Sequence, residues 1–256
     1  MERVTVVKVG GNELDDPTFL DGLCAAVARF AGPLVLAHGG GKEITAALAQ
    51  AGIPSAFVAG LRVTSPEAMT VMQQVVCGTI NKRLVQALFA AGTQPLGLSG
   101  LDLGLLRCLP YRPDGAELGR VGVVTQVQAA ALQTMLAQGW LPVIAPVALG
   151  QEDGLSYNVN ADMVAQALAA ALAGAELLFV SNVPGVILDG AVVPQLDPAA
   201  VNAAIADGSI HSGMVPKVRA ALAALEAGAS SARITNLAGF ASGGTRFVHT
   251  ADRPLP

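Results

Sequence analysis

The sequence predicts an α/β fold built on a mostly parallel sheet, and three observations carry that expectation. Short β-branched runs alternate with longer Ala- and Leu-rich stretches. Glycine-bearing turns follow the β-branched runs. No low-complexity linker or fixed-period repeat interrupts the 256 residues. Strands and helices that alternate in this way cover both faces of a parallel sheet. A chain of this length fits one large α/β unit, so residues 1–256 are expected to form a single domain around one continuous sheet.

The elements follow in order. A strand over 3–9 (RVTVVKV) runs into Gly10-Gly11-Asn12. A helix over 17–30 leads to a second strand at 33–38 (PLVLAH), which ends in His38-Gly39-Gly40-Gly41-Lys42 and a helix over 42–51. Ser65-Pro66-Glu67 opens a long helix over 66–91. The serine caps its first turn, and proline sits where an N–H would have no partner. A strand at 94–98 (QPLGL) ends in Ser99-Gly100. The stretch 103–124, with Pro110, Pro113 and Asp114-Gly115, reads as turns and short antiparallel strands, a hairpin or lid over one end of the sheet. A helix over 126–138, a strand at 141–145 (LPVIA) and a helix over 160–173 come next. The strand 177–181 (LLFVS) gives way to Asn182-Val183-Pro184-Gly185. Helices over 198–207, started by Asp197-Pro198, and over 214–228, then a strand at 232–235 (ARIT), complete the pattern.

Charge and composition exclude several function classes. Fifteen Lys plus Arg against 19 Asp plus Glu, with a net charge of −4, offer no basic face for a phosphate backbone, so no nucleic-acid partner is expected. An acidic protein partner is disfavoured for the same reason. The longest apolar candidate, 163–180, carries Gln166 and Glu176 and is no membrane span. The start, Met-Glu-Arg-Val, lacks an export pattern, so the expected compartment is the cytoplasm. Cys24, Cys77 and Cys108 have no CxxC spacing and lie among apolar residues, as reduced structural thiols do. His38, His211 and His249 share no metal-ligand spacing, so neither a protein-held metal nor a Ser/His/Asp triad is expected.

Ligands of open α/β sheets lie at the carboxyl ends of the strands, where this chain concentrates its glycines. HGGGK opens a helix directly after a strand and can cradle a phosphate or carboxylate on backbone N–H groups. It matches neither the dinucleotide nor the P-loop fingerprint. A tight turn alone needs one or two glycines, and here there are three. Gly10-Gly11 supplies a second cradle, which puts a transferred group between the first two strands with Lys8 beneath it. Lys8 is either an edge-strand lysine that reaches solvent or a buried one matched by a ligand's charge. Lysine is scarce, four against eleven arginines. Lys217, in GMVPK, is the other candidate, and two ammonium groups from distant segments suit a phosphoryl transition state. In YNVNAD, Asn158 and Asn160 flank Val159 and share one face of an extended segment, with Asp162 heading the next helix. Asn160 or Asp162 could be only a helix cap. Alternatively, the amides orient substrate while Asp162 anchors the ammonium groups. Arg62, in GLRVT, either grips a carboxylate bidentately or lies on the surface before a capped helix.

Taken together, VKVGG, HGGGK, GLRVT, NKRLV, YNVNAD, SNVPGV and GMVPK resemble the amino acid kinase family, from Val4 to about Val248. The resemblance implies a three-layer αβα sandwich. Its N-terminal lobe, about 1–174, would bind N-acetyl-L-glutamate, and its C-terminal lobe, about 175–256, would bind ATP with Mg2+ held mainly through phosphates and water. The implied reaction phosphorylates the acyl substrate's side-chain carboxylate, giving N-acetyl-L-glutamyl 5-phosphate for arginine biosynthesis. That carboxylate is already ionised at neutral pH, so no general base is required.

Carried over residue by residue, Lys8 and Lys217 become transition-state stabilisers and Asp162 their organiser. Gly10 and Gly11 meet the phosphoryl group, and Gly40, Gly41, Arg62, Asn158 and Asn160 bind the acyl substrate. Asn182, Val183, Gly185, Ile187, Ile210 and His211 fall at nucleotide contacts, although the pattern usually has aspartate at the position of Asn182. SNVPG and NKRLV also resemble relatives that phosphorylate aminoadipate or glutamate attached to an acidic carrier protein. A non-catalytic sensor on the same fold is a further alternative. For members inhibited by arginine, the resemblance implies an extra helix before the first strand that joins dimers into a hexamer. With the first strand starting near Arg3, a homodimer insensitive to arginine is expected here. It would be joined in part through helix 66–91, whose Met69, Val71, Met72, Val75 and Val76 exceed what one buried face needs.

Overall fold

Eight strands form the central sheet of the computed structural model, which describes residues 3–249. In chain order they are β1 (Thr5–Val9), β2 (Leu34–His38), β3 (Pro95–Ser99), β4 (Leu141–Ala145), β5 (Glu176–Val180), β6 (Gln195–Leu196), β7 (Ser231–Thr235) and β8 (Thr245–Phe247). Their order across the sheet is β6-β8-β7-β5-β1-β2-β4-β3. Every neighbouring pair is parallel except β7 with β8. The inner strands read as nearly unbroken apolar runs because both faces of the sheet are covered.

The helices are α1 (Pro17–Arg29), α2 (Gly41–Gln50), α3 (three consecutive segments, Pro66–Gln73, Gln74–Ile80 and Asn81–Ala90), α4 (Ala129–Ala137), α5 (Ala161–Ala171), α6 (Pro198–Ala206) and α7 (Met214–Glu226). Three of them start on an Asp or Ser cap followed by proline, at Asp16, Ser65 and Asp197. On one face of the sheet, Leu23 and Val27 of α1 and Leu84 and Leu88 of α3 pack on Val7, Val9, Leu36 and Leu178. On the other, Val164 and Leu168 of α5 and Val218 and Ala221 of α7 pack on Val6, Val35 and Leu177. Side chains alternate along a strand, so Lys8 shares the face of Val6, the one that α5 and α7 cover.

The expectation of one continuous sheet is corrected. A separate four-stranded sheet joins Ser156–Asn158, Val147–Gly150, Leu106–Pro110 and Gly122–Val127 in that order. The antiparallel pair expected within 103–124 is present as Leu106–Pro110 with Gly122–Val127. Pro146 is the single residue between β4 and Val147–Gly150, where the chain passes from the central sheet to this second one. Two small hairpins also stand outside the central sheet, Phe57–Val58 with Leu61–Arg62 and Ile187–Leu188 with Ala191–Val192. Each turns on two residues of positive φ, Ala59-Gly60 and Asp189-Gly190. The middle segment of α3, Gln74–Ile80, is a π-helix, whose wider turns shift the register of everything after it. Among the described residues, no helix is long and apolar enough to cross a membrane.

Candidate active site

Two glycine loops meet at the carboxyl ends of β1 and β2. A Cβ added to Gly11 would lie 2.5 Å from Gly40 N, 2.6 Å from Gly40 Cα and 2.7 Å from Gly41 N, so only glycine permits this approach. Gly40 is confined on its other side, where a Cβ would lie 2.5 Å from Ile80 Cδ1. Around Gly41 there is open space. Gly40 precedes α2, and Gly10 precedes the one-turn helix Gly11–Leu14. The first amides of α2 have no partner within the helix, and they carry its positive dipole end. The sequence-derived cradle is therefore a single structure made of two loops in backbone contact.

Beside it, Lys8, Lys217 and Asp162 line one cleft of about 240 Å³, together with Gly10, Glu13 and Ser181. β1 is bonded on both sides, to β2 and β5, which rules out the edge-strand reading of Lys8. Lys8 Nζ forms an ion pair with Asp162 Oδ1 at 2.8 Å. The side chains are 19% and 37% exposed, so the pair opens to the cleft rather than lying sealed in the core. Lys217 enters from the first turn of α7. The convergence follows from the fold, because Lys8 faces the layer that contains α5 and α7. Asn160 caps α5, its side-chain oxygen accepting from the N–H groups of Asp162 at 2.8 Å and Met163 at 3.4 Å. That leaves its amide nitrogen for any contact with substrate.

Arg62 is buried and borders the same glycine loop. Its guanidinium donates to Gly41 O at 3.1 Å, to Thr45 Oγ1 at 2.8 Å and to Ser55 Oγ, and it lies 4.6 Å from the centre of the Phe57 ring. Burial lowers its pKa from the usual arginine value. Thr64 then links Arg62 to Asn158, donating to Arg62 O at 2.8 Å and accepting from Asn158 Nδ2 at 3.1 Å. Sequence reasoning missed Thr64, Glu13 and Ser181. GLRVT contained Thr64, but nothing marked it as the residue that joins two motifs 94 positions apart.

The C-terminal positions are more dispersed. Asn182 is exposed and Val183 half-buried in the turn after β5, while Ile187 stands 51% exposed on the 187–192 hairpin. Gly185 has φ of +150°, and a Cβ there would sit 2.8 Å from both Thr245 Oγ1 and Val192 Cγ1, so glycine is needed for backbone and space alike. His211 is exposed, whereas the Ile210 side chain is buried in the core and can offer a ligand only its backbone. The cysteines are free, and burial pushes their thiols up to about 11 for Cys24 and Cys77 and about 12 for Cys108. Unreactive thiols of this kind suit packing.

A model of the amino acid kinase family matches residues 3–236, which include both glycine loops, both lysines and Asp162. The chain belongs to the amino acid kinase family. Among the amino acid kinases similar to it, the acetylglutamate kinase of Chloroflexus aurantiacus (strain ATCC 29366 / DSM 635 / J-10-fl) is 69% identical over 249 residues, covering 97% of this chain and 98% of that protein. The acetylglutamate kinase of Geobacillus kaustophilus (strain HTA426) is 42% identical, covering 88% and 86%. The amino acid kinase fold also appears in the structure of carbamate kinase from Giardia lamblia bound to AMP-PNP. That chain superposes with a TM-score of 0.67 at 18% identity, covering 96% of this chain and 98% of its own.

Proposed function

We propose that this amino acid kinase transfers the γ-phosphoryl group of ATP to the side-chain carboxylate of N-acetyl-L-glutamate. The observation that carries the reading is the joint lining of one cleft by Lys8, Asp162 and Lys217 beside two abutting glycine loops. The near full-length relatives named acetylglutamate kinase supply the substrate.

The chemistry needs little from the protein beyond position and charge. The substrate carboxylate attacks phosphorus, a new O–P bond forms, and the bond from phosphorus to the bridging oxygen breaks with its electrons leaving on ADP. Lys8, held by Asp162, and Lys217 neutralise charge on the oxygens of the phosphoryl group in flight. The glycine-loop amides hold the group and the attacking carboxylate in line. Arg62 and Asn158, joined through Thr64, secure the substrate's other carboxylate, and Asn160 contributes its amide nitrogen. The turn 182–185, Ile187 and the segment at Ile210 and His211 take the nucleotide in the C-terminal lobe.

The donor set does not suit a metal held by protein side chains. Among the described residues, no three His, Cys, Asp or Glu cluster as ligands, and Asp162 is already engaged with Lys8. Magnesium bound through the nucleotide's phosphates and water would supply further charge neutralisation.

The proposed assembly is a homodimer. Met69, Met72 and Val76 are buried within the chain against Ile44 and Leu48 of α2, which leaves the partly buried Val71 and Val75 on α3. Light scattering reads the mass directly.

ADP release measured with free N-acetylglutamate, N-acetylaminoadipate and a carrier-linked glutamate tests the substrate. Turnover should be greatest with free N-acetylglutamate. No turnover with it, or turnover confined to the carrier conjugate, contradicts the proposal.

A further inference from the structure

Behind the glycine cradle, four residues form a chain of hydrogen bonds that no part of the proposed chemistry uses. His38 ends β2 and Asn81 starts the last segment of α3, and their side chains are buried, at 0% and 1% exposure. Lys82 Nζ lies 3.1 Å from Asn81 Oδ1 and 2.8 Å from Gly97 O. Asn81 Nδ2 lies 3.0 Å from Val143 O and 3.0 Å from His38 Nε2. His38 Nδ1 lies 3.0 Å from Gly39 O.

The chemistry of the end groups fixes every donor. An ammonium only donates, so the Asn81 atom facing Lys82 is the oxygen; a carbonyl only accepts, so the atom facing Val143 is the nitrogen. Asn81 therefore donates to His38 Nε2, which must be unprotonated. The proton of the neutral imidazole then sits on Nδ1 and goes to Gly39 O. A trans peptide points its C=O and N–H in opposite directions, so holding Gly39 O against the imidazole turns the Gly40 N–H away from it. The Gly11 backbone packs against that same amide.

We propose that His38 and Asn81 are positioning residues that aim the Gly40 N–H of the glycine cradle, with His38 held as its Nδ1–H tautomer. This extends the function proposed above and rests on that reading for its kinetic consequence only. The π-helical segment that ends at Ile80 sets the register that brings Asn81 under the loop, and Ile80 closes the loop's back. His38 acts through the backbone of Gly39 and is not itself a catalytic residue.

Two substitutions separate the ends of the relay. The amide nitrogen of asparagine falls where Nδ1 lies, so His38→Asn keeps a donor for Gly39 O. Glutamine reaches the Nε2 position, so His38→Gln keeps a partner for Asn81 and loses that donor. Expected for His38→Gln is a drop of about tenfold or more in kcat/KM for N-acetylglutamate, the scale of a misaimed backbone donor. The KM for ATP should stay within about twofold, since the nucleotide's proposed contacts lie in the C-terminal lobe and the loop's contact with the phosphoryl group is strongest in the transition state. His38→Asn should recover most of the loss. Equal kcat/KM in the two variants overturns the assignment.

Nitrogen-15 NMR of the histidine rings in the wild-type protein tests the tautomer without substrate or turnover. The His38 signal, identified by its loss in His38→Asn or, if that variant does not fold, by scalar correlation to its own backbone, should report a protonated Nδ1 and a bare Nε2. A protonated Nε2 overturns the inference even in an active enzyme. Absence of N-acetylglutamate turnover alongside a protonated Nδ1 overturns the substrate and leaves the positioning of the loop standing.

Discussion

Lys8 Nζ and Asp162 Oδ1 stand 2.8 Å apart, joining the central strand to the first turn of α5. The pair explains how a lysine is tolerated in an otherwise apolar strand before any ligand arrives: a local carboxylate supplies its counter-charge, and the cleft leaves it partly hydrated. The ligand's charge is then an addition to that pair rather than its substitute.

Lys8→Met should lower kcat by about a hundredfold or more, with the KM of either substrate changed by less than about threefold, because its contact strengthens as charge develops on the phosphoryl oxygens. Folding stability should change by less than about 1 kcal/mol, as the pair is partly exposed and screened. Steady-state kinetics with a thermal melt on the same sample reads both. Near-normal kcat would return Lys8 to a structural role.

Gly11→Ala and Gly41→Ala should behave differently. The new methyl at Gly11 meets backbone at 2.5 to 2.7 Å and must push the two loops apart, so both activity and Tm should fall. At Gly41 nothing lies within 4 Å, so Tm should hold within about 2 °C while the KM for the acyl substrate rises. Equal melting temperatures for the two variants would show that the loops are not in contact.

Arg62→Lys is not conservative here. A lysine cannot span Gly41 O, Thr45 Oγ1 and Ser55 Oγ while stacking on Phe57, so the KM for N-acetylglutamate should rise about tenfold or more and stability should drop by about 1–3 kcal/mol. Unchanged KM with lowered Tm would leave Arg62 a purely structural brace.

His38 gives a pH dependence of known sign. Burial, the main cause, with Arg83 and Lys82 nearby, holds its pKa down at about 4, against an ordinary value of 6.5. Between those values the unfolded chain binds the proton and the folded one does not, so stability is full above about pH 6.5 and declines toward pH 4, by at most roughly 3 kcal/mol. Denaturant melts of wild type and His38→Asn across that range isolate the effect from the carboxylates. Their stability difference should shift with pH over this window, and a constant difference would contradict the assignment.

The six strands expected from sequence match strands of the central sheet to within two residues at each end, and β1, β2, β4 and β5, buried on both faces, carry the clearest apolar runs. The short strands Gln195–Leu196, at the sheet's edge, and Thr245–Phe247, next to it, were not legible, being two and three residues long. The hairpin at 187–192 did carry a signal, Asp189-Gly190, that went unused, whereas Ala59-Gly60 is weak because alanine rarely adopts φ of +49°. The π-helix left no trace in composition. At the site, spacing pointed to Lys8, Asp162 and the glycine loops because charge and glycine are conspicuous in apolar surroundings. GLRVT and NKRLV contained Thr64 and Asn81, but their bridging contacts were not legible, since a residue that joins segments distant in sequence looks like any other polar side chain until the fold brings its partners together.

An acyl phosphate made from a free N-acetyl amino acid is the product that distinguishes the proposed reaction. Hydroxylamine trapping of the product measures it most directly, because an acyl phosphate yields a hydroxamate while a phosphate ester does not. With ATP, magnesium and N-acetyl-L-glutamate, hydroxamate should accumulate in proportion to ADP, and Lys8→Met should suppress both together. ADP formed without hydroxamate, or no ADP above the rate seen without acceptor, would contradict the proposed reaction.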